Sequence, residues 1–421
     1  MSSRGLMVLF GKVITLLRRD GMSALISKAR RYICNNRPQL LGKNEWDLLR
    51  AKLHRQPLAI VVDHDIGGGV NFFRNQYVLD RRAKGDLVLL LGFYIATSQY
   101  FIEIFEGHSS RRCSIGSPEL LLLLAACGEV RHATYNCAVT FRQPLAVIDT
   151  LIELKRQSCC ELLMVVHDFF PICPSHFLMD CNDRFCGVPD ENQCKRCLAH
   201  HRNNLVSSSG IRDISLWRQE WSKLLMAADE VRLLSNSSKQ ILKRAYPSLP
   251  DATWRIVPPV LHTQMPKVQV AAGHHLHIGI VGKVTRKVKG TQIISNLAAE
   301  IAHRNSNAKI TVIGTLETKI PNNIVKVTGA YDPEHLSEII KNSGANIFLF
   351  PSIWAETFSF VSHELVAMGV PVACFDFGAQ AELVRTYEKG LILDSMNAGD
   401  ILNKLEIFWR DIYKHCFLSN E

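Results

Sequence analysis

The chain has 421 residues, 47% of them hydrophobic and 21% charged; this composition excludes a largely disordered protein, and the length favours two domains. Its longest apolar run, residues 87–96, falls far short of the roughly 20 residues that a membrane-spanning helix needs. The formal net charge is +10, and residues 1–55 supply most of it, with twelve lysines and arginines against three acidic residues.

Residues 1–55 predict a basic amphipathic helical extension. Its apolar side chains follow one helical stripe with basic residues at the margins, and the stripe consists of Leu6, Leu9, Phe10, Val13, Leu16 and Leu17. This pattern is typical of helices that lie on an anionic membrane surface, which is the partner we expect. A helix packed on its own protein or on a partner protein is the alternative. Nucleic acid is not expected as a partner, because the rest of the chain shows no basic groove with interleaved aromatic residues.

The expected location is the cytoplasm, peripheral at the inner face of the plasma membrane. Lys12 interrupts the apolar patch at residues 6–17 and no small-residue cleavage site follows, so a secretory signal is not expected. The thirteen cysteines are scattered and odd in number, which suits reduced thiols better than a disulfide framework.

From residue 57 onward, short β-rich runs alternate with helical patterns, which predicts two α/β domains with parallel sheets. The first domain, residues 56–262, has expected strands at 58–63, 87–94, 129–135, 162–167 and 230–235. The second domain, residues 275–395, has expected strands at 276–282, 308–314, 324–329, 346–351 and 371–376. A proline-bearing link at 258–275 joins them, and 396–421 predicts a C-terminal helix. Doubly wound domains bind ligands at the carboxyl ends of their strands, so we expect a cleft there.

Two loops between strands and helices could bind an anion. Three consecutive glycines, residues 67–69, open the first helix of the first domain, where backbone amides can approach a phosphate; a tight turn explains them equally well. The matching loop of the second domain carries Lys283, Arg286, Lys287 and Lys289 before Gly290. Four crowded cations favour a diphosphate site, with a solvated basic loop as the alternative.

Two glutamates, Glu356 and Glu364, stand eight positions apart at the entry of a helix predicted over 358–368. A carboxylate before the helix can accept hydrogen bonds from hydroxyl groups, while the first-turn amides of Thr357, Phe358 and Ser359 can point at phosphate oxygens. Opposite a cationic loop, this arrangement suits a polyol attached to a diphosphate.

Five motifs in this order resemble the retaining glycosyltransferases of family 4: "GGGV", the "HD" of His167 and Asp168, "SNSSKQ" from Ser235, "GKVTRKVKG" and "ETFSFVSHELVAMGVPV". The spacing of Glu356 and Glu364 is that family's E-x7-E motif. The resemblance covers residues 57–395, and it is strongest to bacterial enzymes that build O-antigen and related surface polysaccharides. It implies the GT-B fold, in which two doubly wound Rossmann-like domains face a cleft, here with an N-terminal helical extension.

The resemblance also implies roles for residues. Lys283 and Lys289 would bind the donor diphosphate, although the family usually has arginine at the first position, so Lys283 keeps the charge and gives up bidentate geometry. Glu356 would contact the donor sugar and Glu364 the ribose. His167, with Asp168 beside it, would lie near the reacting sugar, and Gly68 and Gly69 near the phosphates. Together with the amides of Thr357, Phe358 and Ser359 described above, these residues make up the candidate site.

The implied activity is transfer of a hexose from a nucleoside-diphosphate sugar to a lipid-linked glycan. Lys283, Lys289 and the helix amides would stabilise the leaving diphosphate; no metal or cofactor is expected, and the leaving phosphate would take the acceptor proton. An epimerase or phosphorylase could use the same fold, and an inactive binding scaffold of a polysaccharide assembly complex is a further alternative.

One insertion, residues 171–201, departs from the family pattern. It concentrates potential metal ligands directly after His167, namely Cys173, Cys181, Cys186, Cys194, Cys197, His176, His200 and His201. Cys194 and Cys197 form a C-x2-C pair that Cys173 or Cys186 could complete as a zinc site. Because the upstream spacing is irregular, we favour a thiol-rich loop that shapes the acceptor site.

Overall fold

The computed structural model describes residues 39–40, 43–95, 97–106, 109–202, 211–261, 265–318, 320 and 324–418. These form two compact units, each discontinuous in sequence. The first comprises the chain up to His176, Pro189–Arg232 and Ala245–Arg255, and the second comprises Phe177–Val188, Leu233–Arg244 and Ile256–Glu421. The expected link at 258–275 groups with the second unit, as does part of the cysteine-rich insertion. Most of the extension predicted for residues 1–55 lies outside the described residues.

The strands of the first sheet are β1 (Gln39–Leu40), β2 (Pro57–Val62), β3 (Leu87–Tyr94), β4 (Gln99–Glu106), β5 (Ser109–Ile115), β6 (Glu129–Tyr135), β7 (Glu161–Val166), β8 (Glu230–Leu233) and β9 (Trp254–Ile256). Within the described residues their order is β1-β5-β4-β3-β2-β6-β7-β8-β9. The five strands expected from the sequence are all present.

The prediction of a wholly parallel first sheet is wrong at one edge. The core is parallel, with β2 between β3 and β6 and with β6 beside β7. However, β4 runs antiparallel to both β3 and β5. Only residues 95–98 connect β3 to β4, and a connection this short cannot make the crossover that a parallel pair requires.

The helices that follow these strands are α1 (Lys43–Leu53), α2 (Gly69–Ala83), α3 (Leu120–Ala125), α4 (Pro144–Ser158), α5 (Glu191–His200), α6 (Ile214–Ala227) and α7 (Asn236–Ala245). Proline at the start of α4 costs no helical hydrogen bond, because the first-turn amides have no partner inside the helix. The Asp213 carboxylate caps α6 by accepting from the amides of Ser215 and Leu216.

The strands of the second sheet are β10 (His277–Val284), β11 (Lys309–Leu316), β12 (Val325–Val327), β13 (Ile347–Phe350), β14 (Val372–Phe375) and β15 (Gly390–Leu393). Their order is β12-β11-β10-β13-β14-β15, and the neighbouring strands run parallel. This is the doubly wound order of Rossmann folds, in which the direction of winding reverses between the first and fourth strands. Here that reversal lies between β10 and β13.

Helices cover both faces of this sheet: α8 (Thr291–His303), α9 (Leu336–Asn342), α10 (Phe360–Met368), α11 (Gly378–Arg385) and α12 (Ala398–Leu418). Alternate residues of β14 enter opposite cores, since Val372 and Cys374 belong to one cluster and Ala373 and Phe375 to the other. The helix α12 corresponds to the C-terminal helix expected over 396–421 and packs on α8. In the part of the chain that the structure describes, no helix is long and apolar enough to cross a membrane.

Candidate functional site

The candidate donor site lies at the carboxyl ends of β10 and β13, where the winding of the second sheet reverses. The segment after β10 forms a short 3-10 turn, Lys287–Lys289, and ends at Gly290, which caps α8. The loop after β13 contacts this turn, because the Ile353 amide donates to the Val288 carbonyl at 3.0 Å. Loops from adjacent strands at such a reversal are where open α/β sheets bind their ligands.

An ion pair joins these two loops. The Lys289 ammonium lies 2.5 Å from Oε1 of Glu356, and the Ser352 hydroxyl lies 3.1 Å from the same oxygen. Glu356 is only 6% exposed, whereas the Lys289 side chain is 38% exposed. A buried carboxylate therefore faces a cation that still reaches solvent and could donate further charge-assisted hydrogen bonds to an anionic group.

The backbone around Glu356 is held by Gln380 of α11, a residue that the sequence did not single out. Gln380 is fully buried; its Nε2 donates to the Trp354 carbonyl at 2.7 Å and its Oε1 accepts from the Glu356 amide at 3.1 Å. The Ala379 amide also donates to the Glu356 carbonyl at 2.9 Å. The "GAQ" segment after β14 thus fixes the backbone that carries Glu356, although no pattern in the sequence distinguishes a buried glutamine from a solvated one.

The helix after Glu356 begins later than the sequence predicts. It starts at Phe360, with Ser359 as its cap, so the expectation that Thr357, Phe358 and Ser359 form the first helical turn is wrong. Competing side-chain bonds delay the helix: the Ser359 hydroxyl accepts from the Ser362 amide at 3.4 Å, as capping serines do. The carbonyl of Thr357 accepts from the hydroxyl of Ser238 at 3.3 Å.

Glu364 lies within α10 and is partly buried. Burial raises the pKa of its carboxyl group above the ordinary value, and its charge contributes to the pKa of Tyr331, which burial raises to about 12. The two glutamates of the E-x7-E spacing therefore sit in different settings, one in a loop paired with lysine and one on a helix.

The four cations of the basic loop lie in different settings. Lys283 lies inside β10 instead of in the loop after it, and its side chain is exposed. Lys287 pairs with Asp183 at 2.9 Å, Lys289 pairs with Glu356, and Arg286 is exposed. The parallel pairing of β10 with β11 continues through Val284, which is why the strand outlasts the expected end at Gly282.

In the second unit, the "SNSSKQ" motif contacts a glutamate of α11. The carboxylate of Glu382, from the segment after "FGA", accepts from the amides of Asn236 and Ser237 at 3.3 and 2.8 Å. It therefore occupies the start of α7, the helix that "SNSSKQ" opens. A cavity of about 360 Å³ adjoins this contact, lined in part by Arg244 and Arg385.

In the first unit, the glycine loop follows β2 and opens α2 as expected. Gly67 and Gly68 have φ angles of +85° and +92°, a region that other residues rarely adopt. The loop is exposed, and no side chain caps the helix amides at Gly68. Below it, the amide of buried Asn71 donates to Asp63 Oδ2 at 2.8 Å while its oxygen accepts from the Gly67 amide at 2.5 Å.

His167 and Asp168 follow β7, next to the loop after β6. His167 Nε2 lies 2.8 Å from Asn136 Oδ1, and burial together with nearby His64 lowers the pKa of His167 to about 3. Burial raises the pKa of Asp168 to about 6. The Asp168 carboxylate accepts from the Phe170 amide at 2.9 Å and from the Cys137 thiol at 3.4 Å, so it orders the turn after β7.

The cysteine-rich insertion contains α5, which carries Cys194 and Cys197. Cys194 accepts from Arg218 Nη2 at 3.4 Å and donates to the Pro189 carbonyl at 3.7 Å. Across the described ranges, no group of three or more His, Cys, Asp or Glu side chains has a geometry that could hold a metal ion. The zinc alternative gains no support from this geometry.

Residues 275–411 match the family model described as glycosyl transferases group 1. The match spans the second sheet, including both loops of the candidate donor site. No curated protein matches the sequence of the chain.

The fold of the chain is similar to those of several solved structures. HepE of Anabaena in complex with UDP has a TM-score of 0.50 at 12% identity, over 85% of this chain and 91% of that one. Sucrose-phosphate synthase of Thermosynechococcus elongatus has a TM-score of 0.49 at 17% identity, over 85% and 92%. WaaG, a glycosyltransferase involved in lipopolysaccharide biosynthesis, has a TM-score of 0.44 at 13% identity, over 85% and 94%. The similarity to HepE confirms the predicted fold class: two doubly wound α/β units of the GT-B type.

Proposed function

We propose that this chain is a retaining glycosyltransferase that moves a hexose from a nucleoside-diphosphate sugar to a lipid-linked glycan in surface polysaccharide biosynthesis. The observation that carries the proposal is the Lys289–Glu356 pair at the winding reversal of the second sheet, inside the segment that matches group 1 glycosyltransferases. The similarity of the motifs to family 4 enzymes and their O-antigen members supports the retaining class and the polysaccharide acceptor. HepE was solved with UDP, which supports a uridine nucleotide as the first donor to test.

The proposed chemistry assigns each charge of the site a task. Breaking the bond between the sugar and the phosphate leaves negative charge on the diphosphate. We propose that Lys289, Lys283 and the amides of Thr357, Phe358 and Ser359, just before α10, stabilise this charge before the reaction begins. Glu356 would accept hydrogen bonds from donor-sugar hydroxyls, and Glu364 from the ribose. Since these cations and amides already balance the leaving charge, we propose that transfer needs no metal.

The acceptor step follows from retention of configuration. The acceptor oxygen bonds to the anomeric carbon on the face that the diphosphate leaves, and its proton passes to an oxygen of the leaving phosphate. We propose that His167 contacts the reacting sugar and that Gly68 and Gly69 lie near the phosphates. Asp168 supports this role of His167 by ordering the turn behind it.

Donor binding is the first test. We expect one nucleoside-diphosphate sugar from a panel to raise the free energy of unfolding by about 2.7 kcal/mol when present at 100 times its dissociation constant. Thermal unfolding measures the effect. Lys289→Met should remove most of it, whereas Lys326→Met, at an exposed position of β12, should keep it. Absence of stabilisation by every donor, or full stabilisation of Lys289→Met, would contradict the proposed site.

Turnover separates the enzyme from its alternatives. A transferase releases free nucleoside diphosphate only when a glycan acceptor is present, whereas an epimerase converts the donor without releasing it. A scaffold would bind the donor and release nothing under either condition. Product analysis of the new glycosidic bond then distinguishes retention from inversion.

We also propose that the basic extension binds an anionic membrane. Residues 1–38 contain eight lysines and arginines and one acidic residue, and each cation near an anionic surface contributes about 1 kcal/mol. Deleting residues 1–38, which leaves β1 intact, should abolish cosedimentation with anionic vesicles and leave transfer to a soluble acceptor within about twofold. Neutral vesicles serve as the control. Unchanged vesicle binding by the deletion variant would refute this role.

A further inference from the structure

Three strands of the first sheet end around one buried amide. Asn136 directly follows β6 and is 1% exposed. Beside it, Asp63 follows β2 and His167 follows β7. His167 forms a hydrogen bond with the Asn136 side chain, and Asn136 is one of the groups that lower the pKa of Asp63 against the effect of burial. The sequence did not single out Asn136, because a lone asparagine after a strand is also a common turn residue.

The surroundings fix which way the Asn136 amide points. Its Nδ2 group donates to the Val70 carbonyl, at the start of α2, at 3.2 Å. A carbonyl accepts only, so the amide nitrogen must face Val70. Its oxygen therefore faces His167 Nε2 at 2.8 Å, and an amide oxygen can only accept.

We propose that Asn136 is a positioning residue that holds His167 in the tautomer with the proton on Nε2. The Nδ1 nitrogen then carries the lone pair and can accept a hydrogen bond but not donate one. This inference rests on the proposed function. With its lone pair on Nδ1, His167 would accept a hydrogen bond from a hydroxyl of the reacting sugar or of the acceptor. This tautomer excludes His167 as a proton donor to the leaving group.

Two features of the surroundings support a neutral, fixed ring. Burial and nearby His64 lower the pKa of His167 to about 3, so that the neutral form dominates at physiological pH. The ring of Phe73 meets the imidazole edge to face, with centroids 5.0 Å apart and planes at 68°. The packing thus restrains the ring plane, and Asn136 selects the protonated nitrogen.

The test is the tautomer of His167, measured by long-range nitrogen–proton NMR of the full chain labelled with ¹⁵N-histidine. The His167 signals are those that disappear in His167→Gln. We expect the wild-type ring to be protonated on Nε2. A ring protonated on Nδ1 would overturn the proposal, and this readout requires neither donor nor acceptor. Its failure is therefore distinguishable from failure of the proposed function, which would instead appear as the absence of donor binding or transfer.

Two variants and a matched control extend the measurement. Asn136→Leu removes the accepting oxygen, so both tautomers should be observed, whereas Asn136→Asp keeps an accepting oxygen and should keep the proton on Nε2. Asn346→Leu is the control. Asn346 is equally buried and bonds the amide of His277 and the carbonyls of Ala272 and His275 in the second unit. It should cost stability without changing the His167 signals. An unchanged Nε2 tautomer in Asn136→Leu would refute the assignment.

Activity supplies the second readout. Asn136→Leu should lower kcat for transfer by about 10- to 100-fold, the range typical of losing a partner that orients a functional histidine, with the KM for the donor unchanged within about twofold. Asn346→Leu should retain kcat. A merely structural Asn136 would instead lower the activity of both variants in proportion to their loss of folded protein.

Discussion

Replacing Glu356 with glutamine is expected to lower kcat/KM for sugar transfer by about 10²- to 10³-fold. Glutamine has the same size and keeps an oxygen for the Ser352 hydroxyl, which lies 3.1 Å from the carboxylate. The substitution removes the negative charge opposite Lys289 and the stronger acceptor that sugar hydroxyls would use. Steady-state kinetics at saturating acceptor measure the loss.

The control for Glu356→Gln is Glu300→Gln. Glu300 of α8 forms an ion pair with Arg304, one turn away at the C-terminal end of that helix, so this variant also removes one carboxylate from the second unit. Pairs of this exposed kind contribute about 0–1 kcal/mol to stability, and activity should stay within about twofold. If Glu356→Gln keeps full activity and both variants keep their thermal stability, then the proposed role of Glu356 in the site is wrong. If Glu356→Gln still binds the donor but does not turn it over, then Glu356 acts on the chemical step and not on donor binding.

The strands of the second unit were predictable because a parallel strand covered on both faces forms a continuous apolar run. The runs "HIGIV" and "IFLF" have that form and become β10 and β13. The helix predicted over 358–368 ends at Met368 as expected but begins two residues later, at Phe360. These features depend on local patterns of burial, which the sequence carries directly.

The partners within the site were not predictable in the same way. The pairing of β10 with β11 continues to Val284, which places Lys283 inside the strand. The lysine that faces Glu356 is therefore Lys289, in the loop after the strand. The support of Glu356 by Gln380 and of His167 by Asn136 depends on which loops become neighbours in the fold. These side chains are distant in sequence, and they become neighbours only because the order of the strands brings the ends of those strands together. Local sequence patterns do not carry that order.

Replacing Gly290 with alanine is expected to cost about 3–5 kcal/mol of unfolding free energy, one of the largest effects available to a single methyl group. Gly290 has a φ of +87°, and a Cβ placed there would lie 2.1 Å from the carbonyl oxygen of Pro351. The obstacle is backbone, which cannot rotate away as a side chain can. Urea unfolding of the second unit measures the loss.

Gly329→Ala separates the two causes of that loss. Gly329 has a nearly identical φ of +89°, but nothing lies within 4 Å of a Cβ placed there. This variant should therefore show only the backbone strain, about 1–2 kcal/mol, and the difference between the variants measures the close approach of the two loops.

Because Lys289 precedes Gly290 and the segment leading to Glu356 begins at Pro351, a displaced carbonyl also moves the two charges apart. Gly290→Ala should therefore weaken donor binding in the protein that remains folded, whereas Gly329→Ala should bind the donor normally. Equal losses of stability in the two variants would show that the loops yield to the methyl group, and that the tight contact does not hold the ion pair in place.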